Sequence, residues 1–498
     1  MPTITIHQNK RLLKSEFEKG ESLLQLLQKQ NLDIPAPCGG NGTCGKCKVK
    51  IKGVGLVNSC THHPDSDIEV ILPNDREAKI LTHQNQYTLH LPLQVNGLAQ
   101  QSDYPIGLSI DIGTTSMVFY WISLITGNII RSVGVSNPQV KYGADVITRI
   151  SYCTDQEKVE VLQHELVNAI NKQISDFVTQ DGILNEHIVK VSVSANTTML
   201  HFLAGVNPMS LALAPFKASF LDARFIKSGE LGIHVHNECL VHLMPSISAY
   251  VGGDIVSGLA SLHPKKEIKT YLFIDIGTNG EMAVVTPEKI YCCATAAGPA
   301  LEGANIQCGM AAFDGAISVY NKNGYQTISD EKPIGICGSG LLDIMAYLLE
   351  KGIVSSDGTL TDNYVLVPKE DSGNGEEIVI TPQDIREIQL AKSAFFTGIK
   401  ILLQEAGVNF DKLDAIFLAG GFGNYLNPES AVKIGLFPHE FSGKVITVGN
   451  TSGTGAVLNT ISTKYEEYTR AVIQKSQLVE LANHPDFEME YAMNMFFS

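Results

Sequence analysis

Five residues of this 498-residue chain, Ile110-Asp111-Ile112-Gly113-Thr114, recur letter for letter as Ile274-Asp275-Ile276-Gly277-Thr278. Each copy joins two apolar, strand-like runs, 107–110 to 117–120 and 271–274 to 282–285. Each therefore reads as a β-hairpin with an acid at the end of its first strand. Small residues in such a turn let backbone N–H groups and threonine hydroxyls close around phosphate oxygens, since glycine permits an approach that a Cβ would block. The acid at the strand end can hold Mg²⁺ through water. Two such turns facing one another would grip the phosphates of a nucleotide from both sides. Asp111 and Asp275 are then candidates to position Mg²⁺ or an attacking water, with Glu281 as a helper. Gly113, Thr114 and Thr115, and in the second copy Gly277, Thr278 and Asn279, are candidates for phosphate binding. The nucleoside needs a third element. Residues 414–419 read as a strand running into Gly420-Gly421-Phe422-Gly423, a glycine turn where a flat base can lie against bare backbone.

This order of motifs resembles the superfamily of actin, sugar kinases and heat-shock chaperone ATPases. The resemblance covers about residues 106 to 470 and implies two duplicated RNase H-like α/β lobes that close over ATP. Residues 445–456 resemble that superfamily's late connecting segment, whose helix packs between the lobes near the hinge, and residues 252–258 read as its counterpart from the first half.

Cysteine spacing supplies a second chemistry. Cys38, Cys44, Cys47 and Cys60 form C-x5-C-x2-C-x12-C, interleaved with Gly39, Gly40, Gly42 and Gly45. Glycines free such a loop to wrap a cluster and to aim N–H groups at its sulfurs. An iron–sulfur cluster fits this spacing better than a disulfide framework, and a four-cysteine zinc site is its competitor. His62 and His63 follow Cys60 and offer substitute ligands, although a solvated loop pair is the plainer reading. Gly40-x4-Gly45-Lys46 imitates a phosphate-binding loop, but Cys47 stands where Ser or Thr is required. The flanks alternate as a strand at 3–6, form a Leu-rich helix at 22–30 and close with a strand at 68–72. This resembles a β-grasp 2Fe-2S ferredoxin domain. The first three cysteines match the adrenodoxin-like spacing, and Cys60 comes far sooner than the fourth ligand of free ferredoxins of that type.

A hydrophobic content of 44% over this length suits about three domains with substantial cores. A net charge of −15 argues against nucleic acid or an anionic membrane as partner, and suits an electron carrier docking through an acidic face. With neither a cationic-then-apolar leader nor a run of membrane-spanning length, a cytoplasmic location is expected. Residues 74–105 turn polar and read as a linker with little structure of its own. The expected division is 1–73 ferredoxin-like, 74–105 linker, 106–268 first ATPase lobe and 269–498 second lobe. Thr381-Pro382-Gln383-Asp384 starts a helix whose apolar spacing (Ile385, Ile388, Ala391, Phe395, Ile399, Leu402) runs to Gly407.

Residues 137–139, 142–146, 196–199, 298–303 and 337–340, beside an N-terminal iron–sulfur domain, resemble one branch of that superfamily, the reductive activators of corrinoid proteins. Asp145 also reads as a helix cap, Cys337 as a core residue and Tyr142 as packing. The resemblance covers nearly the whole chain, and about thirty residues stand where longer relatives carry an additional small domain. It implies ATP-dependent passage of an electron from a 2Fe-2S cluster to cob(II)alamin on the corrinoid protein of a methyltransferase system, giving cob(I)alamin. It further implies Mg²⁺, a low-potential donor such as ferredoxin or flavodoxin, and a homodimer through the ATPase region. Two other readings stay open at this point: a small-molecule kinase of the same superfamily with a fused redox domain, and a nucleotide-binding redox sensor.

Overall fold

The structure, a computed structural model, describes residues 1–8, 11–30, 32, 34, 36, 40, 42, 47–72, 87–95, 97–277 and 279–497. Cys38, Cys44 and Thr278 lie outside the described residues, as do 74–86 and 96 of the expected linker.

The N-terminal sheet runs β2-β1-β5-β3-β4, from β1 (Thr3–Gln8), β2 (Arg11–Glu16), β3 (Lys48–Ile51), β4 (Gly55–Asn58) and β5 (Ile68–Ile71), with β1 parallel to β5. Period-two alternation turns Ile4 and Ile6 inward, and Val49, Ile51 and Val70 meet them. Helix α1 (Leu23–Lys29) covers that face with Leu23, Leu24, Leu26 and Leu27. A capping box starts it: Gln25 N donates to Ser22 Oγ at 3.3 Å and Ser22 N donates to Gln25 Oε1 at 2.9 Å. This is the expected β-grasp.

The remainder is built twice on one plan. In the first lobe β6 (Ile106–Ile112), β7 (Ser116–Ser123) and β8 (Ile129–Ser136) are antiparallel. β9 (Ile188–Ala195) then adds parallel to β6, and β11 (Leu240–Leu243) parallel to β9, with β10 (Arg224–Lys227) at the edge. In the second lobe β12 (Tyr271–Ile276), β13 (Gly280–Val285) and β14 (Ile290–Thr295) repeat the meander. β15 (Ala415–Ala419) and β16 (Val445–Gly449) repeat the parallel extension, and β17 (Ser476–Leu478) lines the far edge. Strands buried on both faces read as continuous apolar runs, as Ala415 to Ala419 do.

Each half sends a helix across to the other. Helix α2 (Gly253–Ser261) follows β11, yet its Ile255, Val256 and Leu259 pack with Tyr271, Phe273 and Phe417 of the second lobe. Helix α3 (Thr451–Ile461) follows β16, yet its Val457 packs with Val118, Tyr120 and Ile122 of the first lobe. Ser109 Oγ donates to Thr460 Oγ1 at 2.7 Å, joining α3 to the first sheet. The two helices touch through bare backbone: a Cβ on Gly258 would lie 2.8 Å from Thr451 Oγ1, and one on Gly455 2.6 Å from Ser257 Cβ. The expected hinge helix and its counterpart are both present.

Two findings differ from expectation or complete it. Over its described part, the segment expected to be an unstructured linker is docked as a strap. Tyr87 is buried with its ring 5.2 Å from that of Phe417, and Leu89 N donates to Ser261 O at 2.7 Å, at the end of α2. Gln94 N donates to Ile461 O at 2.9 Å, at the end of α3, and residues 98–101 form one helical turn. The strap therefore bridges equivalent points of both crossover helices. The long helix α4 (Pro382–Ala406) has the caps read from its sequence, with Thr381 and Asp384 in a capping box and Gly407 left-handed at φ 66°. Among the described residues no helix is long and apolar enough to cross a membrane.

Candidate functional site

Both acid-ended strands point into the cleft between the lobes. Asp111 is the last residue but one of β6 and Asp275 of β12, and each is half-buried. The turns that follow are not identical in length. Ile112 pairs with Met117 across four intervening residues, whereas Ile276 pairs with Gly280 across three. That one-residue difference sets the register, so Asp275 faces Glu281 across its hairpin while Asp111 faces Val118. Only the second copy carries an acid pair.

The first turn, Gly113-Thr114-Thr115, is closed by Gly113 N donating to Ser116 O at 2.8 Å. Asn196, following β9, donates from Nδ2 to Thr114 Oγ1 at 3.2 Å. In the second turn Gly277 N donates to Asn279 O at 2.9 Å. A Cβ on Gly277 would lie 3.7 Å from Glu302 Oε1, so the 298–303 loop stands over this turn.

Asp111 is the best held of the acids. Ser452 Oγ donates to its Oδ1 at 2.6 Å and Asn450 Nδ2 to its Oδ2 at 2.8 Å, both from the start of α3. Burial raises its pKa, and these two donors pull it back. Asp275 is pushed up to about 7, first by desolvation and then by the charges of Asp254, Asp111 and Glu302. Asp254, in the first turn of α2, is also pushed up to about 7 by desolvation, against the hydrogen bond from Ile255 N and with the charge of Asp111. Glu281 is raised well above the usual carboxylate range, by desolvation first and then by Asp254 and Asp275. The cleft is thus partly open to water yet overcharged, a state that a bound dication offsets. Among the described residues no three acids, histidines or cysteines close on a single ion. The arrangement suits Mg²⁺ held through water and phosphate oxygens, not a dedicated protein cage.

The nucleoside motif is a strand running into a helix start, not the free turn expected. β15 leads into the short helix α5 (Gly420–Tyr425, chain order between α4 and α3) with Gly420 at φ 85°. A Cβ on Gly420 would lie 2.4 Å from Asp275 Oδ1, so bare backbone meets the acid there. Gly421 is exposed and its Cβ position meets nothing within 4 Å, leaving an open flat surface. Phe422 is half-buried against Gly338, where a Cβ would lie 2.6 Å from its ring. Gly338 and Gly340 thus serve packing, and Cys337 is a core residue whose Sγ meets Ile317 O at 3.3 Å. Asp145 caps the helix at 146–152, accepting from Thr148 N at 2.8 Å, as its plainer reading had it.

In the N-terminal domain Cys47 Sγ lies 3.2 Å from Cys60 Sγ, and neither is in a disulfide. A Cβ on Gly40 would lie 3.9 Å from Cys60 Cβ, so Gly40 stands beside this pair. Two thiols this close, one buried and one half-buried, fit two ligands of a shared cluster. Cys38 and Cys44, outside the described residues, are the sequence's other two candidates. His63 turns away, with Nδ1 3.2 Å from Gly20 O.

Asp254, Glu302, Asn450, Ser452 and Asn196 were not singled out as site residues from sequence. All lie inside segments marked there for other reasons, and only the chain's return from distant positions brings them to the cleft.

Comparison with known proteins adds the following. The family model for the C-terminal domain of RACo, the ASKHA domain, matches residues 269–498, that for the RACo middle region matches 106–266, and that for a 2Fe-2S iron-sulfur cluster binding domain matches 6–69. The chain is 34% identical over 429 residues to the corrinoid activation enzyme RamQ of Eubacterium limosum, covering 80% of this chain and 72% of that protein. It is 24% identical over 381 residues to the [Co(II) methylated amine-specific corrinoid protein] reductase of Methanosarcina barkeri, covering 70% and 68%. A solved structure of a reductive activator for corrinoid, iron-sulfur protein aligns with TM-score 0.70 and 28% identity over 100% of this chain and 98% of that one.

Proposed function

The chain belongs to the reductive activators of corrinoid proteins, and we propose that it uses ATP to drive one-electron reduction of the cobalt of a partner corrinoid protein in a methyltransferase system, from cob(II)alamin to cob(I)alamin. The observation that carries this reading is the union, in one chain, of a close cysteine pair in a ferredoxin fold with two phosphate-type hairpins converging on one acidic cleft. When bound by Cys47 and Cys60 with Cys38 and Cys44, a 2Fe-2S cluster supplies the one-electron relay. Cob(I)alamin is a strong reductant, and each 59 mV of unfavourable difference is about tenfold in equilibrium for one electron. ATP offsets that difference.

The residues divide the work by their surroundings. The turns at Gly113-Thr114-Thr115 and Gly277-Thr278-Asn279 take the phosphates from opposite walls, and Gly420, Gly421 and Phe422 support the nucleoside. Asp111, given two donors that favour its ionised form, orients Mg²⁺ through water. Asp275, poised near neutrality by burial and by its acidic neighbours, accepts the proton of the attacking water, with Glu281 opposite it. Because Asp111 is tied to the first turn of α3, closure of the lobes over the nucleotide moves the crossover helices together. That closure favours the complex in which the cobalt is more easily reduced. The domain division at 73, 105 and 268, a ferredoxin or flavodoxin as donor, a homodimer through the ATPase lobes and a cytoplasmic location belong to the same proposal.

The test mixes anaerobically purified protein, reductant and a candidate corrinoid protein, and follows the cobalt absorption bands. The cob(I) spectrum should appear only when Mg-ATP is present. Reduction at the same rate without ATP, or ATP turnover driven by a small metabolite and not by the corrinoid protein, would overturn the reading.

A further inference from the structure

Arg149 lies directly behind the first phosphate turn and is 0% exposed. Its Nη2 donates to Thr114 O at 2.5 Å and its Nε to Gly143 O at 2.8 Å. Its Nη1 has only long contacts, 3.5 Å to Gln139 Oε1 and 3.7 Å to Met199 Sδ. Among the described residues no carboxylate hydrogen-bonds this guanidinium or lies in a salt bridge with it, and Asp145, which caps the same helix, acts on it only as a nearby charge. Burying a cation without a bonded counter-charge is costly, so its retention here needs a reason.

The turn supplies one. Asn137 completes the set, with Nδ2 donating to Gly113 O at 2.8 Å and its backbone N donating to Thr115 O at 2.9 Å. All three carbonyls of the turn are therefore engaged from behind. Across planar trans peptides the N–H of the next residue points opposite to each carbonyl. Fixing the carbonyls of Gly113 and Thr114 inward thus aims the N–H groups of Thr114 and Thr115 outward, towards the cleft. Arg149 acts twice: it sets this orientation through Thr114, and its positive charge stands one peptide behind the place where phosphate would bind, in surroundings that screen it little.

We propose that Arg149 is a positioning residue for the nucleotide phosphates, holding the Gly113-Thr114-Thr115 turn with its amides facing the cleft and placing behind them a buried charge whose counter-ion is the bound triphosphate. This rests on the proposed function, since it assumes that the turn binds phosphate. It separates Arg149 from a residue that merely fills the core, because its effect must depend on the number of phosphates in the ligand and leave the nucleoside alone.

The experiment measures binding of ATP, ADP and adenosine to the full-length protein and to Arg149→Met and Arg149→Lys, by calorimetry, with steady-state ATPase alongside. Arg149→Met should weaken ATP by about tenfold or more, since it removes a positive charge standing behind the phosphates where screening is weak, while adenosine binding stays at its wild-type value. KM for ATP should rise with kcat at saturation nearly unchanged. Arg149→Lys keeps the charge without the fork and should fall between; if the Met variant does not fold, this variant decides. ATP affinity equal to wild type in the folded variants, or an equal loss for ATP and adenosine, overturns the proposal. A wild-type protein that binds neither ligand would instead overturn the reading of the cleft as an ATP site.

Discussion

Replacing Asp275 with Asn should make the nucleotide-free protein more stable while abolishing its activity. Asp275 has no hydrogen-bond donor among the described residues and sits in the field of Asp254, Asp111 and Glu302, which with burial raise its pKa from 3.8 to about 7. A folded state with the higher pKa holds more protons than the unfolded chain between those two values. Its stability therefore falls as pH rises through that window and is lowest above it. A difference of about 3 units at 1.36 kcal/mol each gives roughly 4 kcal/mol as an upper bound, and water in the open cleft reduces this to about 2 kcal/mol. The isosteric amide removes that penalty. For lobes of this size the gain is about 4–8 °C in Tm above pH 7, shrinking as pH is lowered towards 5. Differential scanning fluorimetry of both proteins from pH 5 to pH 8 without nucleotide, beside ATPase rates, would test this. A variant of equal or lower Tm at pH 8, or a gain that is the same at every pH, would refute the account of an overcharged cleft. Mg-ATP should raise the wild-type Tm more than that of the variant, since it offsets the same repulsion.

Three further outcomes are expected. Gly420→Ala places a Cβ 2.4 Å from Asp275 Oδ1 at a positive φ, at about 1–2 kcal/mol of local strain, and should lower ATPase activity with circular dichroism unchanged. Gly455→Val wedges a branched side chain into the α2–α3 contact, where a Cβ already meets Ser257 at 2.6 Å, and should destabilise by about 1–3 kcal/mol in thermal unfolding. Cys60→Ser should bleach the visible absorption of the iron–sulfur centre while ATP affinity, read by calorimetry, stays at its wild-type value; an unchanged spectrum would remove Cys60 from the ligand set.

The duplicated hairpins were legible because the chemistry of each is local: an acid, a glycine and a threonine in one turn. Helix α4 was legible for the same reason, its caps at Thr381, Asp384 and Gly407 being read within one turn of each end. The acids that complete the cleft were not. Asp254 and Glu302 acquire their role only when α2 and the 298–303 loop fold back towards the two turns. Gly420 to Phe422 looked like a turn because glycine disfavours helices, yet close approach to Asp275 demanded glycine at position 420, where the helix starts. The strap was read as spacer because its contacts through Tyr87, Leu89 and Gln94 are few, long-range and without period.

That strap decides where the redox domain is hung. Its bonds to Ser261 and Ile461 fix it to the pivot of the molecule, not to either jaw. Fourteen residues, 73 to 86, separate the pivot from the end of the ferredoxin fold. A chain of that number reaches at most about 50 Å. The ferredoxin-like domain is thus kept within that distance of the hinge. Under the proposed closure that limit stays the same, because it is measured from the pivot and not from either lobe.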